Sequence, residues 1–151
     1  LGYEINFCQD ITSKSKKGIF RGLHFQTPPK AQSKLVRVIE GRVLDIAVDL
    51  RSDSSTYGQH ISIELSGENK KQLFIPRGFA HGFLSLEDSI FSYKVDNFYS
   101  RENDMGIFYK DECLNIEWGN IGKIEVSDKD KELPMLSNIK QFFKKTAELY
   151  E

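Results

Sequence analysis

The strongest strand signal in this chain, and the one that decides its fold class, is Val43-Leu44-Asp45-Ile46-Ala47-Val48-Asp49-Leu50. Apolar side chains recur at every second position, so one face of the predicted strand is wholly aliphatic and carries Leu44, Ile46, Val48 and Leu50. The other face is mixed, because it carries Asp45 and Asp49 beside Val43 and Ala47. This alternation predicts a β-strand and not a helix.

Similar short segments lie along the rest of the chain. Residues 60–65 alternate equally well, with Ile61, Ile63 and Leu65 predicted to point inward, and residues 73–75 and 90–95 are also strand-like. Clusters of Gly, Pro, Ser, Asn and Asp separate them, and many short strands at this spacing predict an all-β sandwich or closed barrel. The tail differs, because Ser137 can cap a short C-terminal helix with apolar residues at Ile139, Phe143, Ala147 and Tyr150.

The composition indicates one globular domain over residues 1–151, with 39% hydrophobic and 28% charged residues. A net charge of -1 argues against nucleic acid as a partner, since a nucleic-acid binder carries a basic excess. No apolar run approaches the about 18–20 residues of a membrane span, so no membrane partner is expected. Cys8 and Cys113 are too few and too far apart for a disulfide framework or a zinc site, which predicts reduced, mostly buried thiols and a cytoplasmic protein.

Two short segments contain two of the three histidines, and each histidine follows a glycine by two or three residues. They are Arg21-Gly22-Leu23-His24-Phe25-Gln26 and Pro76-Arg77-Gly78-Phe79-Ala80-His81. Imidazole is the side chain best suited to move a proton near neutral pH. Two histidines on two strand-like segments therefore suggest a pocket that performs acid–base chemistry.

The second segment follows a pattern of the cupins, which are small jelly-roll barrels: Pro, any residue, Gly, two residues, His. Its glycine permits a sharp turn, after which the strand can point His81 into the barrel. Most cupins add two further histidines and a glutamate to hold a metal ion. This chain has only His24, His60 and His81, and His60 shares a polar strand face with Ser62 and Glu64. We therefore expect a cupin-type jelly roll that needs no metal.

The order of several motifs resembles the dTDP-4-dehydrorhamnose 3,5-epimerase family. The matching segments lie at residues 18–26, 28–38, 45–51, 75–83 and 127–130, and the resemblance extends to about Leu136. It implies a cytoplasmic homodimer that takes part in dTDP-rhamnose and polysaccharide biosynthesis. The family also usually carries an N-terminal D-x-R-G-x-F-x-E segment, which this sequence lacks at its start, so we expect that segment to be absent.

The resemblance implies epimerisation of dTDP-4-dehydro-6-deoxyglucose at carbons 3 and 5 to dTDP-4-dehydrorhamnose. The 4-keto group acidifies the hydrogens on the two neighbouring ring carbons, so a base can remove one and an acid can return a proton to the opposite face. Neither a redox cofactor nor a metal is needed. The site must supply a base, an acid and positive charge near the enolate oxygen.

The resemblance also implies a role for particular residues. His24 matches the base, Asp130 matches the carboxylate that orients it, Tyr93 matches the acid, and Lys34 matches the lysine that stabilises the enolate. Further matches imply substrate contacts, and the residues concerned are Gln9, Arg21, His81, Asp104 and Lys129. His81 is expected to pair with Asp45. Tyr99 and Trp118 are candidate walls of the pocket, with packing in the barrel core as the commoner alternative for aromatic residues in a β-barrel.

Two departures bear on the substrate. Asp104 stands where the family usually has Glu, and Ile11 stands where it has Asn. These positions concern nucleotide contacts, so an epimerase that acts on one carbon only, or on another nucleotide-linked 4-keto sugar, stays open. A non-catalytic sugar-nucleotide-binding barrel and a metal-dependent cupin are the remaining alternatives.

Overall fold

Two β-sheets face each other in the computed structural model, which describes residues 4–150. Eight strands build them: β1 (Gln9–Ser15), β2 (Ile19–Gln26), β3 (Lys34–Glu40), β4 (Arg42–Asp49), β5 (His60–Ser66), β6 (Gln72–Ile75), β7 (Phe79–Ser85) and β8 (Ser89–Val95). Two short strands, β9 (Asp104–Gly106) and β10 (Glu125–Val126), add to the edge regions. The only α-helix among the described residues is α1 (Asp128–Lys131), and 3-10 turns occupy Glu112–Leu114, Leu136–Asn138 and Thr146–Glu148.

The strand order confirms the predicted jelly roll. One sheet has the order β1-β8-β3-β6, and the other has β10-β2-β7-β4-β5 with β9 also paired to β2. Strand β1 therefore pairs with β8, β2 with β7, β3 with β6 and β4 with β5, and each of these pairs is antiparallel. Consecutive strands from β1 to β8 alternate between the two sheets, except that β4 and β5 lie in the same sheet. This nested winding is the jelly-roll topology.

The apolar face of β4 does not point into the barrel. Its Ile46 and Val48 belong to an outer core, where the segments after β9 cover the second sheet with buried side chains such as Ile107, Leu114 and Phe143. The mixed face, with Val43 and Ala47, packs instead between the two sheets against residues of β3 and β8. The second sheet is thus covered on both faces, and the carboxyl side chains of Asp45 and Asp49 are buried.

The prediction that the apolar side chains of β5 point inward is correct only toward the end of the strand. Leu65 is fully buried and Ile63 is partly buried, whereas Ile61 is 53% exposed. These residues lie opposite Val43, Asp45 and Ala47 of β4, so burial decreases along the strand toward its beginning. The reason is that β5 is an edge strand, with a neighbour on one side only.

The prediction of a helix after Ser137 is wrong, because the segment does not form an α-helix. The segment instead runs across the second sheet, with two isolated 3-10 turns and a parallel bridge between Arg51 and Phe143. The carbonyl of Phe143 accepts a hydrogen bond from the backbone N–H of Ser52, and its ring packs against Phe25. These tertiary hydrogen bonds and contacts replace those of a helix, so apolar spacing alone misled the prediction.

Cys8 and Cys113 are free thiols, as expected, but both are exposed, so the expected burial is wrong. Cys8 lies on the segment before β1 and Cys113 in a surface 3-10 turn, where neither side chain has a core to enter.

No helix within residues 4–150 has the length and apolar character needed to cross a lipid bilayer.

Candidate active site

A cavity of about 610 Å³ opens between the two sheets, and most of the predicted site residues line it. The first sheet contributes Lys34 from β3 and Tyr93 from β8, and the second contributes His24 from β2 and His81 from β7. The start of α1 closes one side. The remaining lining residues are Ser13, Ile19, Phe20, Arg21, Phe83, Phe91, Glu125, Val126, Ser127, Lys129 and Asp130.

His24 and Asp130 form the predicted pair. His24 Nε2 lies 2.6 Å from Asp130 Oδ1, and the Asp130 side chain is only 5% exposed. Burial alone would raise the pKa of Asp130. The hydrogen bonds from His24 and from the Gly22 amide lower it by more, so the pKa of Asp130 lies below the usual value for an aspartate. An ionised carboxylate at Nε2 fixes the neutral imidazole with its proton there, which leaves Nδ1 as the basic atom.

The local sequence explains how this pair is held. Ser127 caps α1 by accepting a hydrogen bond from the Asp130 backbone N–H at 3.1 Å, which fixes the turn that presents the carboxylate. On the other side, β2 is irregular between Arg21 and His24, and the Gly22 N–H donates to Asp130 Oδ2 at 3.1 Å. Gly22 has φ 130°, and a Cβ there would lie 2.6 Å from Gly82 Cα, so this bend requires glycine.

Tyr93 reaches the same cavity from the opposite sheet. Its ring packs at 5.9 Å from that of Phe91, its neighbour on the same strand face. Burial raises the pKa of Tyr93, which the nearby Arg21 guanidinium only partly offsets. The phenol therefore keeps its proton at neutral pH and has the protonation state that a general acid requires.

Lys34 is half-buried in the cavity wall, on the same face of β3 as the buried Val36 and Val38. Burial lowers the pKa of Lys34 to about 8, and the charges of Asp45 and Asp104 oppose this shift. Within residues 4–150 no carboxylate lies within ion-pair distance of its ammonium group. This cation is thus available to a negative charge that develops in the cavity.

The expected pairing of His81 with Asp45 is confirmed. His81 Nε2 lies 3.1 and 3.0 Å from the two carboxylate oxygens of Asp45, and both side chains are buried. Burial raises the pKa of Asp45 and lowers that of His81. The pair is therefore best satisfied by one shared proton and no net charge.

The other predicted substrate contacts lie at or outside the cavity mouth. Arg21 is exposed, with its Nε–H donating to Ser15 Oγ at 3.1 Å. Lys129 is exposed as well and is bonded at 2.6 Å to Asp104 Oδ2, which also accepts the Tyr99 hydroxyl. Gln9 is exposed at the start of β1 and does not line the cavity.

Neither aromatic candidate for a pocket wall, Tyr99 or Trp118, lines the cavity. Trp118 packs in the outer core, edge-on to Phe20 at 5.0 Å, so it stands behind the cavity wall. Tyr99 is 63% exposed on the segment between β8 and β9. His60 also lies away from the cavity, and no group of three or more His, Cys, Asp or Glu within the described ranges is arranged to hold a metal ion.

Several cavity residues were missed from the sequence. Phe91 could have been found, because it shares a strand face with Tyr93 by the period of two. Ser13 lies opposite Phe91 in the β1–β8 pairing, so it needed knowledge of the strand register. Ser127 stands in a motif already noted, yet its role as a helix cap becomes visible only with the fold.

The fold and the site together define a cupin-type barrel whose cavity is equipped for proton transfer. Comparisons with known proteins agree with this class. The sequence model of the dTDP-4-dehydrorhamnose 3,5-epimerase family matches residues 1–138. The chain therefore belongs to the dTDP-4-dehydrorhamnose 3,5-epimerase family.

Individual relatives support this assignment. A dTDP-4-dehydrorhamnose 3,5-epimerase from Shigella flexneri is 50% identical over 131 residues, which cover 86% of this chain and 72% of that protein. A Legionella pneumophila epimerase, solved in complex with dTDP-4-keto-L-rhamnose, has a TM-score of 0.88 at 43% identity and covers 99% of this chain and 76% of its own. A Bacillus anthracis epimerase with TDP and PPi bound has a TM-score of 0.85 at 46% identity, covering 89% and 77%.

Proposed function

We propose that this chain epimerises dTDP-4-dehydro-6-deoxyglucose at carbons 3 and 5 to give dTDP-4-dehydrorhamnose. The observation that carries the proposal is the hydrogen-bonded His24–Asp130 pair in one cavity with Tyr93 and Lys34. The two histidines are on one sheet and Tyr93 and Lys34 on the other. A sugar ring between the sheets thus has a base on one side and an acid on the other.

These residues account for both proton transfers of the proposed reaction. His24 Nδ1 takes the hydrogen next to the 4-keto group as a proton, and its electron pair moves to the carbonyl oxygen. Lys34, still mostly protonated at pH 7 with a pKa of about 8, stabilises the enolate oxygen. The Tyr93 hydroxyl then delivers a proton to the opposite face of the carbon. Solvent removes the proton from His24 and restores the one on Tyr93, so the cycle can repeat at the second carbon.

The nucleotide end of the substrate is assigned to the cationic mouth of the cavity. Arg21 donates its Nε–H to Ser15, and no carboxylate within the described part of the chain forms an ion pair with its guanidinium. Lys129, at the start of α1, lines the same cavity. A diphosphate takes paired hydrogen bonds from a guanidinium and charge from an ammonium group. His81, Gln9 and Asp104 stay proposed as further substrate contacts.

A one-carbon epimerase is the second candidate, and one observation favours it. Ile11, which stands in place of the family's Asn, lies directly opposite Tyr93 in the β1–β8 pairing. Residues opposite each other on antiparallel strands share a face, so the acid has an aliphatic neighbour instead of an amide. This difference changes how the sugar ring is held beside Tyr93.

A proton NMR assay tests the proposed reaction. The protein is incubated with dTDP-4-dehydro-6-deoxyglucose, and the UDP- and GDP-linked 4-keto-6-deoxysugars serve as comparison substrates. We expect the ring-proton couplings to report inversion at carbons 3 and 5 of the dTDP-sugar. Inversion at one carbon would favour the second candidate, and no inversion with any of these sugars would refute the proposed function.

We also propose that residues 1–151 form one domain of a cytoplasmic homodimer. Exposed free thiols and a water-soluble nucleotide sugar as substrate support a reducing, aqueous compartment. Exposed apolar side chains such as Ile39 and Ile61, 50% and 53% accessible, are available for contact with a second copy. Sedimentation analysis at several protein concentrations tests the dimer, and a stable monomer would refute it.

A further inference from the structure

Four residues close a ring of hydrogen bonds at the ends of three strands. Asp96 Oδ1 accepts the Ser33 backbone N–H at 2.6 Å, and Asp96 Oδ2 accepts the Arg77 Nε–H at 3.1 Å. The Arg77 backbone N–H donates to the Tyr150 hydroxyl at 2.9 Å, and that hydroxyl lies 2.6 Å from Ser33 Oγ. We refer to this arrangement as the Ser33–Asp96–Arg77–Tyr150 ring.

The ring is largely shielded from water. Ser33 is fully buried, the Asp96 side chain is 3% exposed, and that of Arg77 is 20% exposed. The Arg77 guanidinium also lies 5.0 Å from the centre of the Tyr150 ring and donates to the Leu149 carbonyl at 2.8 Å. Buried charged hydrogen bonds of this kind are costly to leave incomplete, so each member constrains the positions of the others.

The residues of the ring lie next to Lys34 and to its partners on the adjacent strands. In the first sheet Lys34 is the residue opposite Ile75 on β6 and opposite Val95 on β8. Ser33 precedes Lys34, Asp96 follows Val95, and Arg77 comes two residues after Ile75. The ring therefore ties together the ends of all three strands immediately beside the row that contains Lys34.

The ammonium group of Lys34 is not held by an ion pair within the described residues. The strand backbone and the cavity wall therefore set the direction of its side chain. Tyr150 closes the ring from outside the barrel. It lies beyond residue 138, where the match to the family model ends.

We propose that Tyr150 is a positioning residue for Lys34: its hydroxyl closes the ring that fixes the three strand ends and thereby aims the Lys34 ammonium group at the enolate oxygen. The proposal deepens the proposed function and rests on it. In this role Tyr150 does not contact the substrate and acts through the ring.

The variant Tyr150→Phe tests the proposal, because it removes the hydroxyl and keeps the aromatic ring beneath Arg77. The C-terminal segment stays anchored elsewhere, since Phe143 bridges to Arg51 and Thr146 bonds to Asp53. We expect kcat to fall about 10-fold, with KM changed less than about twofold, because a misaimed group weakens the transition state more than substrate binding. Tyr57→Phe is the matched control, since no hydrogen bond of its hydroxyl is found within the described residues, and it should leave kcat unchanged.

A double-mutant cycle shows whether the effect passes through Lys34. In a Lys34→Met background, Tyr150→Phe should change kcat by less than about twofold, because the group it positions is gone. An equal 10-fold loss in both backgrounds would overturn the proposal, and so would an unchanged kcat in the single variant. If Tyr150→Phe fails to fold, Ser33→Ala opens the ring at the other end and must show the same cycle.

A measurement on the protein without substrate separates this proposal from the proposed function. Tyr150→Phe should move the NMR titration midpoint of the Lys34 side chain upward toward that of an exposed lysine, while Tyr57→Phe should not. An inactive wild-type enzyme with this shift would refute the proposed function and leave the positioning role supported. An active wild-type enzyme with neither a kinetic effect nor a titration shift would refute the positioning role alone.

Discussion

His24 and His81 lie opposite each other on the antiparallel strands β2 and β7, and each imidazole is bonded through Nε2 to a carboxylate of its own. Their exposure differs, because the His24 side chain is 33% accessible and that of His81 only 7%. The accessible imidazole beside an ionised Asp130 suits the base. The buried His81–Asp45 pair forms part of the cavity wall, which Lys34 also lines.

Asp130→Asn is expected to lower kcat by about 10³-fold or more, with substrate binding retained. An amide accepts a hydrogen bond less well than a carboxylate and no longer stabilises the imidazolium, so His24 loses its tautomer control. Steady-state kinetics with the dTDP-sugar measure the loss, and Asp128→Asn, an exposed position on the same helix, is the control. A kcat within about threefold of wild type would show that His24 does not need Asp130.

Tyr93→Phe is expected to separate the two halves of the reaction. Because His24 still removes the carbon-bound proton, the substrate should continue to exchange that hydrogen with solvent, while formation of the inverted product falls by about 10²–10⁴-fold. Product is followed by proton NMR in heavy water, with Tyr57→Phe as the control. Undiminished inversion in Tyr93→Phe would assign the acid to another group.

The activity is expected to fall as the pH rises through about 8. The Lys34 ammonium loses its proton there, because burial lowers its pKa to about 8, and the neutral amine stabilises an enolate poorly. Lys34→Arg keeps a positive charge throughout this range, so its remaining activity should lose this alkaline limb. Should the arginine variant show the same midpoint near 8, another group would be responsible for the limb.

Asp49 is expected to couple folding stability to acid pH. Burial raises its pKa, but hydrogen bonds from Arg51, Thr56 and Ser54 outweigh this effect and lower the pKa to about 2. A pKa below that of the unfolded chain means that the stabilisation is complete above about pH 4 and is lost as the pH falls toward 2. Denaturation measured across this range should show a flatter pH dependence for Asp49→Asn than for wild type or the exposed-site control Glu102→Gln.

Much of the barrel could be predicted because its strands obey a period of two. The alternation in residues 43–50 and 60–65 identified β4 and β5, and the pattern at His81 identified the jelly-roll class. What the alternation could not show is which face of β4 points into the barrel. Its aliphatic face is covered by the chain after β9, and that long-range packing has no local signal.

The site was predicted where a motif fixes a residue type, and was missed where only the fold creates the contact. One cavity brings together His24, Lys34, Tyr93 and Asp130. The hydrogen-bonded residues His24 and Asp130 are 106 positions apart in the sequence. Trp118 illustrates the opposite case, because an aromatic side chain serves equally well as a pocket wall or as core packing. Tyr150 was placed on a helix by its spacing, whereas the Ser33–Asp96–Arg77–Tyr150 ring holds it through long-range contacts.

The most direct test of the central claim is a count of the deuterons that His24→Ala and the wild-type enzyme introduce into dTDP-4-dehydro-6-deoxyglucose in heavy water. The wild-type enzyme should place one deuteron on carbon 3 and one on carbon 5. The variant should still bind the nucleotide sugar, measured by calorimetry, while introducing essentially none. Deuterium uptake by the variant at the wild-type rate would show that the His24–Asp130 pair is not the base.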